Sequence, residues 1–271
     1  MENKSIISPL KHFQESIEKV AAKVRRHTLP LYYFEKGNDT PQQCATGVII
    51  DISGNKYLLT ASHVFDSDIE INLMFKDWIQ PLNGVGCIME SKRDKDSSLI
   101  DTTICLLDKS VVDRIEQSPK YDFYKLDKVC YFNTSDYVKS YIILGYPYRH
   151  TKLDYVNKKI TPKLFSIGTE PADDKYYEKH GFKKTHNIIL NYRSRRQSNF
   201  RDSIVQGPKL DGFSGCGIWY IPTMVDFKNE IPDYYFKGIL TEWIKKDSIV
   251  VGQNIKFIID SFQLKFNEKI I

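Results

Sequence analysis

Residues 57–64 read Tyr-Leu-Leu-Thr-Ala-Ser-His-Val, an apolar strand pattern that runs into small residues and then a histidine. Taken alone, the segment also describes a histidine at an ordinary strand end. The other five histidines have no such setting: His12 and His27 lie in or after a helical pattern, and His150, His180 and His186 lie in polar stretches. A second segment, Ser97–Leu107 (SSLIDTTICLL), places Asp101 immediately before a buried-looking strand. An acid there is commonly a turn former, but beside an imidazole a carboxylate fixes the tautomer and stabilises the imidazolium. In the third, Gly212-Phe213-Ser214-Gly215-Cys216-Gly217, a serine sits among glycines ahead of the apolar run IWYI. Glycines permit backbone conformations that turn successive N–H groups inward, as an oxyanion hole needs; a plain glycine-rich turn between strands looks the same.

Working outward, short apolar or alternating runs recur between polar turns. They are LPLYYF (29–34), TGVIIDI (46–52), KYLLTASHVF (56–65), INLMFKDW (71–78), TTICLLD (102–108), KVCYF (128–132) and SYIILGYP (140–147). FSIG (165–168), NIILNY (187–192), SGCGIWYIP (214–222), YFKGILTEW (235–243) and SIVVG (248–252) continue the series. Many short strands with Gly, Asn, Asp, Ser and Pro between them indicate a barrel or sandwich. KLDYVNKK (152–159) and ADDKYYEKHGFKK (172–184) read as loops or a short helix.

Both ends differ. From Ser8, an N-cap serine and Pro9 precede Leu10, Phe13, Ile17, Val20 and Val24 at steps of three and four, predicting an amphipathic helix to about Arg26. Its apolar stripe has two uses: covering a barrel end or docking on another protein. Ile255, Ile258, Ile259 and Phe262 predict a closing helix over about 253–268.

At 271 residues, with 41% hydrophobic, 27% charged and 13% aromatic content, the chain suits an ordered globule. The charged first thirty residues do not read as a secretory signal, and no stretch has the eighteen apolar residues of a membrane span, so the expectation is a soluble, cytoplasmic protein. Cys44, Cys87, Cys105, Cys130 and Cys216 lack paired spacings, which predicts reduced thiols. The net charge of +5 is mild, and Arg193, Arg195, Arg196 and Arg201 read as a solvated loop, which disfavours nucleic-acid binding. No H-E-x-x-H, C-x-x-C, phosphate-loop or dinucleotide pattern occurs, and Gly215 directly after Ser214 breaks G-x-S-x-G, so no metal or organic cofactor is implied.

Jointly, TGVIID, YLLTASHV, the aspartate before TTICLL, and GFSGCG followed by GILTEW resemble the trypsin-like, chymotrypsin-fold serine peptidases over roughly residues 47–252. The resemblance implies an all-β fold of two six-stranded antiparallel β-barrels, flanked by the N-terminal amphipathic helix and the C-terminal helix. It divides the chain into a helical extension (1–28) and a peptidase domain (29–271), with barrels at about 29–125 and 126–252. It makes Ser214 the nucleophile, His63 the general base and Asp101 its orienting acid, with backbone N–H groups of Gly212 and Ser214 as the oxyanion hole. Thr241, Glu242 and Trp243 fall at the substrate-binding strand, where Trp243 would narrow the primary specificity pocket or Glu242 would select a basic side chain.

Two departures stand out. Phe213 occupies the place of the aspartate that binds a newly cut N-terminus, which argues against activation by N-terminal cleavage, and Cys216-Gly217 replace the usual Gly-Pro. ILGYP (143–147) also resembles a strand and turn near the start of the second barrel, and ordinary core packing is the favoured reading of it. The implied function is an intracellular serine endopeptidase acting on proteins, activated by a partner through the N-terminal helix in a bacterial stress or defence pathway. The alternative is a catalytically silent module that binds protein partners.

Overall fold

The computed structural model describes residues 9–35, 37, 40–65, 70–75, 78–82, 86–90, 101–126, 139–154, 159–192, 195–198, 203–222 and 233–266. Helix α1 (Pro9–Val24) is followed by β1 (Thr28–Phe34), β2 (Pro41–Ile52), β3 (Asn55–Thr60), β4 (Ile71–Phe75), β5 (Trp78–Pro81), β6 (Gly86–Glu90) and β7 (Thr103–Leu107). Helix α2 (Lys109–Gln117) and the short β8 (Tyr124–Lys125) complete the first half. These strands form one sheet in the order β5-β4-β1-β2-β3-β7-β6, with β8 parallel to β2. The β2–β3 hairpin turns on two residues, Ser53 and Gly54, both at positive φ (51° and 92°), the backbone that matches the twist of tightly connected strands.

The second half holds β9 (Lys139–Gly145), β10 (Lys152–Asp154), β11 (Lys159–Thr161), β12 (Phe165–Thr169), α3 (Lys175–His180), β13 (Asn187–Asn191), β14 (Arg195–Ser198) and β15 (Ser203–Gln206). It ends with β16 (Gly217–Pro222), β17 (Tyr235–Ile244), β18 (Ile249–Asn254) and α4 (Ile255–Phe266). Its main sheet runs β12-β9-β16-β17-β18-β13, antiparallel throughout. The all-β, two-barrel architecture with a helix at each end is therefore as the resemblance implies. The second sheet has six strands, and the first reaches eight with the short β5 and β8.

Several local readings change. KLDYVNKK contributes β10 and part of β11, paired from Lys152↔Thr161 to Asp154↔Lys159, so it is a hairpin rather than a loop or helix. INLMFKDW is two strands, β4 and the start of β5, whose pairing closes at Phe75↔Trp78. Arg195 and Arg196 lie in the β14–β15 hairpin rather than in a loop, while Arg193 and Arg201 lie outside the described residues, as do the N-cap serine Ser8 and the run KVCYF. Helix α2 goes unread in the sequence because strands surround it. Its signals are nevertheless ordinary: the Asp108 side chain accepts from Val111 N–H, and Val111 and Ile115 are buried at helical spacing.

Four apolar clusters occur among the described residues, three of them large. Leu29, Leu31, Ile49, Leu58, Leu73 and Cys105 fill the first barrel, while Ile143, Leu190, Phe213, Ile218 and Val250 fill the second. The third lies between them: Val48, Ile50 and Leu59 from the first sheet meet Ile142, Leu144, Trp219 and Ile239 from the second. Val20 and Val24 of α1 and Ile258, Ile259 and Phe262 of α4 close the same cluster. Val20 and Val24 thus spend their part of the amphipathic stripe on the chain's own core. Among the described residues, Cys44, Cys105 and Cys216 take part in no disulfide. No described helix is long and apolar enough to cross a membrane.

Trp219 is fully buried at the centre of this seam, edge-on to Tyr124 at 5.0 Å between ring centroids. Replacing Trp219 with Ala should destabilise the fold by about 3–5 kcal/mol in urea unfolding. A stability loss below 1 kcal/mol would contradict the central placement of the indole. His27 lies against the same rings and its Nδ1 donates to the Asp122 carbonyl at 2.7 Å. Burial lowers its pKa from the ordinary 6.5, outweighing the upward pull of that carbonyl. The unfolded chain therefore takes up the proton first, so the stability due to neutral His27 is complete above pH 6.5 and declines as pH falls below it. His27→Gln should flatten the fall in melting temperature between pH 7 and 5; an unchanged slope would refute the assignment.

Candidate active site

His63 lies in the single 3-10 turn Ser62–Phe65 that follows β3, where the strand's apolar run gives way to small residues. Asp101 stands just ahead of β7, the strand beside β3, so the sheet brings acid and imidazole together. The Asp101 carboxylate accepts twice from His63: Oδ1 from the backbone N–H at 2.9 Å and Oδ2 from Nδ1 at 2.7 Å. A carboxylate can only accept, so the ring proton is on Nδ1 and Nε2 is left as an acceptor. Nε2 lies 2.9 Å from Ser214 Oγ, which then donates to it. The Asp101 side chain is 7% exposed and that of His63 28%, so the imidazole faces outward from a buried support.

Ser214 comes from the other barrel, in the turn between β15 and β16. Gly212 at φ +93° and Gly215 at φ +80° shape this turn. A β-carbon at Gly212 would lie 2.7 Å from Tyr146 O and 2.8 Å from Tyr148 N. At Gly215 it would lie 2.1 Å from Thr60 Oγ1 and 2.3 Å from Thr46 O. Both positions thus require glycine for conformation and for space.

The turn is tied down on all sides. Thr46 N–H donates to Ser214 O at 3.0 Å, and Thr46 Oγ1 donates to Gly212 O at 2.9 Å while accepting from Tyr146 N–H. Gly215 N–H donates to Leu240 O and Leu240 N–H to Cys216 O, both at 2.8 Å. Among the described residues, the N–H groups of Gly212 and Ser214 donate to no protein acceptor. Beside Gly212 lies a pocket lined by Gln42, Gln43, Tyr148, Arg149 and Thr151.

The residues around Ser214 have physical roles of their own. Phe213 is fully buried in the second-barrel cluster, so it is a core residue rather than a receptor for a cationic N-terminus. Cys216 is fully buried, and desolvation raises its thiol pKa well above the ordinary value, which keeps it a neutral thiol. Tyr146 of ILGYP is also buried, and burial holds its phenol well above its ordinary pKa; its carbonyl receives Gln43 Nε2 at 2.7 Å.

The three residues at the end of GILTEW diverge. Thr241 is buried and donates to Val251 O at 3.3 Å, at a bulge where Leu240 pairs with Gly252 and Glu242 with Val251. Glu242 is exposed. Trp243 is half-buried, edge-on to Tyr192 at 5.6 Å, with Lys245 Nζ 4.7 Å from its ring centre. The sequence brings His63, Asp101 and Ser214 into view, but not Thr46, Thr60 or Gln253. Thr46 and Thr60 read as ordinary threonines in strand runs, and nothing in VGQNI marks Gln253.

No protein-family model and no curated protein sequence matches the chain. Among solved structures, it is similar to the Vibrio cholerae VesB protease at 15% identity and a TM-score of 0.51, over 91% of this chain and 65% of that one. The chain thus spans about two thirds of that protease's length. A serine endoprotease from Yersinia pestis aligns at 14% identity and a TM-score of 0.47, over 93% of this chain and 68% of that one. At 15% identity the Vibrio likeness is one of fold.

Gly215→Ala should abolish whatever chemistry Ser214 performs, because relieving contacts of 2.1 and 2.3 Å with Thr60 and Thr46 must move the serine. An alanine variant whose Ser214 reacts as in the parent chain would refute the steric argument.

Proposed function

We propose that the chain is a serine endopeptidase that cleaves proteins through Ser214, His63 and Asp101. The observation that carries this reading is the continuous hydrogen-bonded path from Asp101 through His63 to Ser214 Oγ, across two barrels of the corresponding fold. A serine hydroxyl is a weak nucleophile at neutral pH unless its proton is accepted as it attacks. His63 Nε2 takes that proton, and the Asp101 carboxylate stabilises the resulting imidazolium through Nδ1. His63 then gives the proton to the leaving amine, and a water activated by the same imidazole releases the acyl group from Ser214.

As the carbonyl becomes tetrahedral, negative charge develops on its oxygen. The Gly212 and Ser214 N–H groups are the donors proposed for it, and such donors contribute about 3–4 kcal/mol each to the transition state. From Thr241 onward, β17 pairs with β18 but not with β16, whose described pairing stops at Gly217↔Ile239. An extended substrate peptide can add there as a strand. The Gly215–Leu240 hydrogen bond holds that edge beside Ser214. Trp243, packed on Tyr192, then forms a wall of the substrate site, and exposed Glu242 stands at its rim.

The test is reaction of the purified chain with a fluorophosphonate, located by peptide mass spectrometry. Labelling should fall on Ser214, vanish in Ser214→Ala and His63→Ala, and drop by about 10⁴-fold in Asp101→Asn, where the imidazole is held in the wrong tautomer. Absence of labelling in the parent chain would favour the silent binding module, and labelling that persists without His63 would exclude the proposed base.

A further inference from the structure

Gln253 belongs to the second barrel, yet its side chain ends on the first. It lies in β18, paired with Ile239 of β17 on one side and Asn187 of β13 on the other, and is 1% exposed. Its Oε1 accepts the Asp101 peptide N–H at 2.9 Å and the Thr102 hydroxyl at 2.5 Å. A peptide N–H can only donate, so the carboxamide oxygen must face this pair. The strand that carries Gln253 has little freedom: a β-carbon on Gly238 of the neighbouring β17 would come within 1.8 Å of the Gln253 carbonyl oxygen.

The contacts close a circuit. Gln253 of the second barrel holds the backbone of Asp101 and Thr102, and both oxygens of the Asp101 carboxylate hold His63. His63 in turn meets Ser214, which is back on the second barrel. Asp101 precedes β7 rather than lying within the ladder, so β-pairing alone does not set its backbone. We propose that Gln253 is a positioning residue that acts through Asp101 to aim the His63 ring at Ser214. The proposal rests on the serine-peptidase reading and names one of its determinants. A buried glutamine could instead merely satisfy polar groups between the barrels, and the two roles differ in what they move.

The test compares the full chain with Gln253→Met, which keeps the volume and removes the acceptor, and with Thr102→Val, which removes one donor. Two readouts are used: the rate of fluorophosphonate labelling at Ser214, and the low-field proton NMR resonance of His63 Nδ1–H facing Asp101. The expected result for folded Gln253→Met is labelling slower by about 10²-fold, as for small displacements of reacting groups, with that resonance shifted or lost. Labelling at the parent rate with the resonance intact would overturn the proposal, and so would a loss that only follows the unfolded fraction. If Gln253→Met does not fold, Thr102→Val decides in the same way: an altered resonance and slower labelling support the proposal, and parental values overturn it. If the parent chain itself is not labelled, the peptidase reading fails, while the resonance still reports whether Gln253 sets the Asp101–His63 contact.

Discussion

The turn that carries Ser214 presses directly on the first barrel at Gly215, where a β-carbon would meet Thr60 Oγ1 at 2.1 Å and Thr46 O at 2.3 Å. Backbone meets backbone there, since Thr46 N–H donates to Ser214 O and Thr60 Oγ1 donates to Thr46 O at 2.8 Å. This contact lets a serine from one barrel come within a hydrogen bond of a histidine from the other. Strands pack at separations set by their side chains, so closer approach needs a residue without one. The apolar seam of Val48, Leu59, Leu144, Trp219 and Ile239 supplies the force that keeps the sheets together, and α1 and α4 seal its ends.

Thr46, Thr60, Asp101 and Gln253 are buried with hydrogen-bond partners, which is what makes their burial tolerable. Asp101 would be costly as an isolated buried carboxylate, but both its oxygens receive N–H donors from His63. Thr46 serves four neighbours at once, Ser214, Gly212, Tyr146 and Thr60, and its hydroxyl links Gly212 O to Tyr146 N–H. Such a network has few alternative arrangements, because moving one member leaves another unsatisfied in a medium of low dielectric. The site is preorganised by the same bonds that join the barrels. Beside it, the thiol of Cys216 is neutralised by desolvation and the ring of Phe213 is absorbed into the second core.

The periphery follows different rules. Lys179 and His180 of α3 both meet Asp247 in a surface cluster, and α3 ends on Gly181 in a left-handed conformation. The described part of the α1 stripe is used internally through Val20 and Val24. The β10–β11 and β14–β15 pairs form separate two-stranded sheets outside the two main ones.

Much of the fold and the site could be read in the residues themselves. The alternation of short apolar runs announced strands, the steps of three and four announced both terminal helices, and three short motifs singled out His63, Asp101 and Ser214. These are local properties: periodicity follows from backbone geometry, and the glycines around Ser214 follow from positive φ. Helix α2 was within reach by the same logic, through the Asp108 cap and the Val111–Ile115 spacing. The β10–β11 pairing was not, because strands of three residues, Lys152–Asp154 and Lys159–Thr161, are too short to show a period. Nor were Thr46, Thr60 and Gln253, whose partners lie 14 to 166 residues away. What the sequence determined by itself was the strand class, the end helices and the three polar residues of the site. Only the tertiary structure decided which polar side chains hold those three in register. A hydrogen bond between residues distant in the chain leaves no periodic trace, and exists only once packing has set the distance between two barrels.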